Sequence, residues 1–494
     1  MAAFSTDEGK GEATTVSVII ERLGLTLHHR DTILFTWWLW IFCGWTATSL
    51  VFALDAAGED GSDWVRITSP SDRLTMEDKS WTLLVTGILA AVGNQMLGFG
   101  SDAYGRISMS ELCVLNGVIG TMGFALARSK FTLIVCICIN PFIKDGTAMI
   151  TQSMLGEWLP VYWRGIFLVS LHAMWNVGRA AITLVWAWVP PGEHWVFFFS
   201  ISSVLPTLIC LYMRVRGWRY ESPRWLAVSG DVDSCITNLK FCAESGAWLG
   251  ESEQLPRGWD DPKRVCVQAD TGGAVQAQQQ SLWARLTELL STPHLRYVFL
   301  VLCVAHFALF YSTAALFFWA IEYFKESGLH DAVVPAMVAA PIGKILGNLS
   351  LIVGGPKVCL IDRCPRIPLI MLGYFSFGVC VLLLCASRST IVLTAVMFFG
   401  HFFQEVIWAV GGVYVTEVFP TSVRNSAVGT IYTVGSMGNV LGNVISGPMM
   451  EAWVYLPMLV IATLLLLGGL CGSLLLSSER KHQTLSDTVG YGAC

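Results

Sequence analysis

Charge is what this chain has least of. Only 14% of its 494 residues are Asp, Glu, Lys or Arg, against roughly 25% in soluble globular domains, which excludes an ordinary soluble domain with a solvated surface. No His-Glu-x-x-His, no paired Cys-x-x-Cys and no glycine-rich loop closing on Lys and then Ser or Thr occurs. Those absences argue against a metalloenzyme and against direct drive by ATP, so no enzyme activity, metal or cofactor is expected. The net charge of −5 is small for this length and implies no nucleic-acid partner. The first thirty residues are polar and hold no short apolar core ahead of a small-residue cleavage site, so no signal peptide is expected. Of the 15 cysteines, Cys43, Cys113, Cys136, Cys138, Cys303 and Cys380 lie in apolar runs, where they pack as small hydrophobes. The longest outer loop, Asp55 to Ser80, has none.

What is abundant is apolar sequence. The chain is 54% hydrophobic with a mean hydropathy of +0.58. Twelve apolar runs, the first Ile33 to Ala53 and the last Trp453 to Leu476, approach the roughly 20 residues a helix needs to cross a bilayer. With both termini cytoplasmic, 21 of the 31 Lys and Arg residues fall in cytoplasmic segments, 7 outside and 3 within spans. The opposite orientation would invert that bias. The expected organisation is a cytoplasmic tail (1–31), a six-helix bundle (32–214), a cytoplasmic linker with amphipathic helices (215–295), a second six-helix bundle (296–477) and a short tail (478–494). Between Cys266 and Ser281 the linker is rich in Gly, Ala and Gln and reads as flexible.

The two halves repeat. Asp102, Arg106, Glu157, Pro160 and Arg164 recur in order as Asp362, Arg366, Glu417, Pro420 and Arg424, each at an offset of 260 residues. Duplicated halves inside a membrane are how many transporters are built. The repeated residues also have a physical logic. Asp102 and Arg106 bracket a glycine-rich turn after the second span, and each Glu and Arg of the later pair bracket a proline that ends one helix before the next begins. Contacts of this kind, made in one conformation and broken in another, would latch a cytoplasmic gate.

The stretch Gly98 to Arg106, with its weaker copy Asp362-Arg363-Cys364-Pro365-Arg366, resembles the loop motif of the major facilitator superfamily. Glu221-Ser222-Pro223-Arg224-Trp225-Leu226 and Thr416-Glu417-Val418-Phe419-Pro420-Thr421-Ser422-Val423-Arg424-Asn425 resemble its organic-ion transporters and their synaptic-vesicle-protein-related branch. The resemblance spans Trp37 to Leu476. Animal organic-ion transporters carry a long, cysteine-containing, glycosylated first outer loop, whereas this one is short, without cysteine or an Asn-x-Ser/Thr acceptor.

Intramembrane ionisable residues mark function by default. Asp145 and Glu405 also obey the repeat offset, and each lies twelve residues, about 18 Å of helix, before the interfacial Glu157 or Glu417, near the midplane. The resemblance implies that they face each other across a central cavity lined by spans four and ten. Two readings stand: carriers of a proton or a substrate cation, or structural ion pairs with Lys144, Arg179 or neighbouring groups. His401 lies one turn before Glu405, either in a proton relay or bonded to a backbone carbonyl. Arg179 and Lys344 are the midplane bases, converging on an anionic solute or neutralising the two acids. The resemblance adds Tyr311 and Trp408, on cavity-lining spans seven and ten.

The expected protein is therefore all-α and membrane-embedded, with twelve transmembrane helices in two pseudo-symmetric six-helix bundles. Its expected partners are a small organic solute, an organic ion, with protons as a candidate coupling ion, moved by alternating access through the lipid bilayer of a plasma or vesicle membrane by a monomer. The alternative is a non-transporting vesicle or receptor-like protein of the same fold.

Overall fold

The computed structural model describes residues 14–144, 146–216, 221–249, 254–255, 259–260, 265–266, 287, 289–353, 360, 364–419 and 421–475. Spans one to six are Leu27–Gly58, Met76–Tyr104, Arg106–Leu126, the pair Lys130–Lys144 and Gly146–Trp158, Val161–Trp188, and Trp195–Arg216. Spans seven to twelve are Pro293–Glu326, His330–Ile352, Arg366–Ala386, Thr390–Val418, Thr421–Ala452 and Leu456–Leu474. Among the described residues, 8 helices are long and apolar enough to cross a membrane by length and composition alone. Spans two and eleven are as long but more polar, and both contribute polar residues to the interior of the molecule.

Local sequence sets the helix ends. Span two starts at a capping box, in which Thr75 Oγ1 accepts from the Asp78 backbone N–H at 3.1 Å and Asp78 Oδ2 accepts from the Thr75 N–H at 2.9 Å. Spans two and three are joined at Gly105, whose φ of 96° suits glycine and disfavours any residue with a Cβ. Pro160 stands between spans four and five, and its carbonyl accepts the Arg164 N–H at 3.0 Å, the first bond of the next helix.

Glycines set how closely the helices approach, and they do so in a repeated way. A Cβ at Gly178 would lie 2.0 Å from the Ile41 carbonyl oxygen, and one at Gly438 would lie 2.5 Å from that of Phe307. The two positions are 260 residues apart, so span five packs on span one as span eleven packs on span seven. Gly44 completes the first contact, within 1.9 Å of the Trp175 carbonyl measured from its would-be Cβ. Gly343 and Gly347 bring span eight against span ten in the same manner, 2.1 and 2.6 Å from the Phe398 and Phe402 carbonyls. These contacts carry Trp175, Arg179, Lys344 and Asn348 to the middle of the molecule.

The N-terminal segment gives little sign in the sequence of its place in the fold. Residues 14–26 are folded onto the linker: the strand Thr14–Thr15 pairs with Val265–Cys266 and Leu25–Thr26 pairs with Ala247–Leu249. Between them the helix Val16–Leu23 buries Ile19 and Ile20 in one cluster with Cys235 and Leu239 of the linker helix Val232–Glu244 and with Phe35 and Phe42 of span one. His29 anchors the start of span one, its Nε2 3.0 Å from the Trp158 carbonyl. Of the run Cys266 to Ser281, only Cys266 lies among the described residues.

Candidate functional site

Between the two bundles lies a cavity of about 440 Å³. Spans one, two and five line it from the first bundle, spans seven, eight, ten and eleven from the second. Its walls are aromatic, with Trp40, Trp175, Phe310, Phe317, Phe318 and Trp408, and its polar groups are few: His172, Asn176, Arg179, Thr313, Lys344, Glu405, Asn439 and Asn443 among them. A mostly apolar enclosure with a small set of convergent polar groups is the usual form of a small-molecule site.

The charged groups converge on Glu405. Its side chain is 5% exposed; Oε2 is 3.7 Å from Lys344 Nζ, Oε1 accepts from Asn348 Nδ2 at 3.0 Å, and Oε1 is 4.0 Å from His172 Nδ1. Lys344 and Asn348 share the carboxylate's own bundle, whereas His172 reaches toward it from the other. Arg179, two turns beyond His172 on span five, interacts electrostatically with Glu405 and lays its guanidinium over Phe317, with Cζ 4.4 Å from the ring centroid. Among the described residues, Arg179 Nε, Asn176 Oδ1, Asn348 Oδ1, Gln404 Oε1 and Asn443 Oδ1 are buried without a hydrogen-bond partner in the protein. Of these, Arg179, Asn176 and Asn443 line the cavity, where water or a polar solute can reach them.

Of the expected site residues, Arg179, Lys344, Glu405 and Trp408 line the cavity. Trp408 is held by its indole N–H, which donates to Thr313 Oγ1 at 3.3 Å. Tyr311 does not line it. The cavity face of span seven is Phe310, Thr313, Ala314 and Phe317, and Tyr311 lies about 100° around the helix, packed on Gly438 and Gly442 of span eleven. His401 is also outside the lining: its Nδ1 is 2.9 Å from the Met397 carbonyl and its ring lies 6.2 Å from that of Phe377, the backbone-bonded reading rather than the relay. Asp145 lies outside the described residues.

On the face opposite the repeated motifs, the two bundles are tied by crossed ion pairs. Lys79 of span two donates to Glu322 of span seven, both nearly buried, and Lys325 of span seven donates to Asp55 of span one at 2.7 Å with Glu59 at 3.8 Å. Leu83 and Phe318 lie both on the cavity wall and beside the Lys79–Glu322 pair, so this latch roofs the cavity. The sequence marks these five residues only as charged span ends.

The profile of the family described as "Sugar (and other) transporter" matches residues 61–487. The chain belongs to this family. It is a membrane solute transporter of the major facilitator superfamily, not an enzyme. Among its relatives, Organic cation/carnitine transporter 7 of Arabidopsis thaliana is 22% identical, covering 82% of this chain and 85% of that protein. Synaptic vesicle 2-related protein of Pongo abelii is 25% identical over 83% of this chain and 73% of its own, and Solute carrier family 22 member 7 of Bos taurus is 24% identical over 83% and 69%. The inward-open conformation of the xylose transporter XylE from E. coli superposes with a TM-score of 0.67 at 13% identity, covering 92% of this chain and 98% of that one, and so shares the fold.

In this transporter the motif residues form part of a network at the opposite end from the latch. Arg106 donates from Nη1 to Ser101 Oγ at 3.0 Å and from Nη2 to Glu157 Oε1 at 3.1 Å, joining spans three and four of one bundle. Glu221, the first residue of the linker motif, accepts the Ile107 backbone N–H at 3.0 Å, placing a carboxylate at the N-terminus of span three. Arg164 donates to the Leu159 carbonyl at 3.2 Å, and Arg366 is buried at the start of span nine. Asp362 and the side chains of Asp102, Glu417 and Arg424 lie outside the described residues.

Proposed function

We propose that this chain carries a small organic ion bearing a negatively charged group by alternating access, with Arg179 and Lys344 holding that group and the aromatic wall holding the rest. The observation that carries this reading is the charge balance of the cavity: among its described lining residues stand two buried cations, Arg179 and Lys344, and one buried carboxylate, Glu405. Among the described residues no carboxylate lies within ion-pairing distance of Arg179, and its Nε is buried without a hydrogen-bond partner; a buried charge is costly unless it is matched, so Arg179 favours entry of an anion. Lys344 is a mobile point charge and Arg179 a planar fork that suits a carboxylate or sulfonate. The relative named for organic cations and carnitine supports an organic solute; the sign is read from the cavity. The crossed ion pairs that roof the cavity act as the gate on one side, and the Arg106–Glu157 and Glu221 contacts belong to the gate on the other. The positive residues concentrate on the motif face, which supports a cytoplasmic location for that face and for both termini.

The test is uptake into proteoliposomes of size-matched organic anions and cations. Accumulation of anions, reduced in Lys344→Gln and Arg179→Gln, is the expected result. Uptake of cations alone would overturn the assignment of sign, and uptake of neither would overturn the organic-ion reading.

A further inference from the structure

Resting on the reading of the cavity as an anion site, we propose that His172 is the proton-carrying group of the transporter: His172 and Lys344 compete for Glu405 across the bundle interface, so that one proton enters with each anion.

The argument is geometric. Glu405 is placed between two bases on different bundles, 3.7 Å from Lys344 within its own and 4.0 Å from His172 of the other. Of the three side chains His172 is the open one, 34% exposed on the cavity side, while Lys344 is 7% and Glu405 5% exposed. All three line the cavity, and the imidazole presents the most surface to it. The ring is oriented by an edge-on contact with Trp40, centroids 5.1 Å apart, and its backbone carbonyl accepts from Asn176 Nδ2 at 2.9 Å. Among the described residues, the charged or titratable groups facing it are Glu405 from span ten and Lys344 from span eight. Span one presents Trp40, and on span five itself the next charge is Arg179.

The consequence follows from counting charges in each protonation state. With His172 neutral, Glu405 is matched by Lys344, and an anion arriving at Lys344 must displace a carboxylate. With a proton on His172, taken from water on the side to which the cavity is open, Glu405 is matched from the opposite bundle and Lys344 is left for the anion. Proton and anion then favour each other's binding, and by linkage the effect is reciprocal. When the anion leaves on the far side, Lys344 reclaims Glu405 and the imidazole returns its proton to water there. For a monoanion the cycle is electroneutral. The proton-matched pair His172–Glu405 also spans the two bundles, so loading the site draws them together.

The experiment uses 2-naphthalenesulfonate, which stays ionised throughout pH 5.5–8, so any pH dependence belongs to the protein. In proteoliposomes carrying an interior pH dye, the full-length chain is expected to take up the sulfonate with an apparent affinity about tenfold higher at pH 5.5 than at pH 8, with interior acidification. His172→Gln is expected to lose both the pH slope and the acidification, keeping the weak affinity of the parent at pH 8. His172→Arg, cationic at every pH, is expected to show the strong affinity at both pH values without acidification. A parent that takes up the sulfonate with no pH slope, or a His172→Gln protein with the parent's slope, would overturn the proposal while leaving the anion site intact. Absence of sulfonate uptake and binding at every pH would overturn the anion site, and this proposal with it.

Discussion

Removing one member of the roof should shift the molecule between its two conformations by a calculable amount. Lys325 is 24% exposed and Asp55 7%, and they meet at 2.7 Å across the bundles. In Lys325→Ala the Asp55 carboxylate stays buried in the closed roof without its partner, whereas opening the roof hydrates it. Breaking a buried pair from one side costs about 3–5 kcal/mol. The low end applies here, because Lys79 remains within electrostatic range of Asp55 and Glu59 can turn to water. A cost of about 3 kcal/mol falls on the roof-closed state alone and moves the equilibrium roughly 100-fold toward opening. Spin labels on Ser71→Cys of the first bundle and His330→Cys of the second would report the separation across this face. The 15 native cysteines would be replaced first, so that only the introduced pair is labelled. Lys325→Ala should lengthen the mean distance, and the charge swap Asp55→Lys with Lys325→Asp should shorten it again. An unchanged distance distribution in Lys325→Ala would refute the assignment of these residues to a gate.

Three further outcomes are expected. Gly178→Val places carbon against a backbone carbonyl and should lower the thermal stability of the purified protein by about 1–3 kcal/mol or more, whereas Gly429→Ala, with nothing within 4 Å of its would-be Cβ, should be neutral; equal melting temperatures for both would contradict the packing. Burial pushes the Cys235 and Cys242 thiols of the linker up to about 12 from an ordinary value of 9. They ionise more readily unfolded than folded, so their contribution is full below pH 9 and is lost as pH rises toward 12. Melting of the parent should decline across that range, and Cys242→Ser should flatten the decline. Finally, Glu221→Gln weakens a charge-assisted bond at the N-terminus of span three, and protease sensitivity of the linker should rise several-fold; no change would detach Glu221 from linker docking.

The parts of the architecture that the sequence reveals are those with a period or a charge out of place. Residues such as Glu157 and Arg164 stand out because a polar group at a helix end repeats at a fixed offset, and Arg179, Lys344 and Glu405 stand out because ionisable groups in apolar runs are costly. Helical phase carries no such mark. Tyr311 is one residue from Phe310, and without knowing which face of span seven meets span eleven the sequence does not separate a cavity residue from a packing one. The roof was hidden for a different reason: Asp55, Lys79, Glu322 and Lys325 sit at span ends, where charge is ordinary, and only the approach of two bundles distant in sequence pairs them. The docking of residues 14–26 on the linker depends on two-residue strands and on a short helix, Val16–Leu23, whose apolar face has no meaning until its partner helix is in place. His172 shares a face with Arg179 in the sequence, but its position opposite Glu405 is a fact of tertiary structure alone.

The central claim, that an anionic group binds between Arg179 and Lys344, is tested most directly by equilibrium binding of 2-naphthalenesulfonate to the purified parent, Lys344→Gln and Arg179→Gln. Each substitution removes a charged hydrogen-bond donor from the site, a loss of about 1.5–3 kcal/mol, so affinity should fall roughly 10- to 100-fold in both variants. Binding as tight as that of the parent in both would contradict the account.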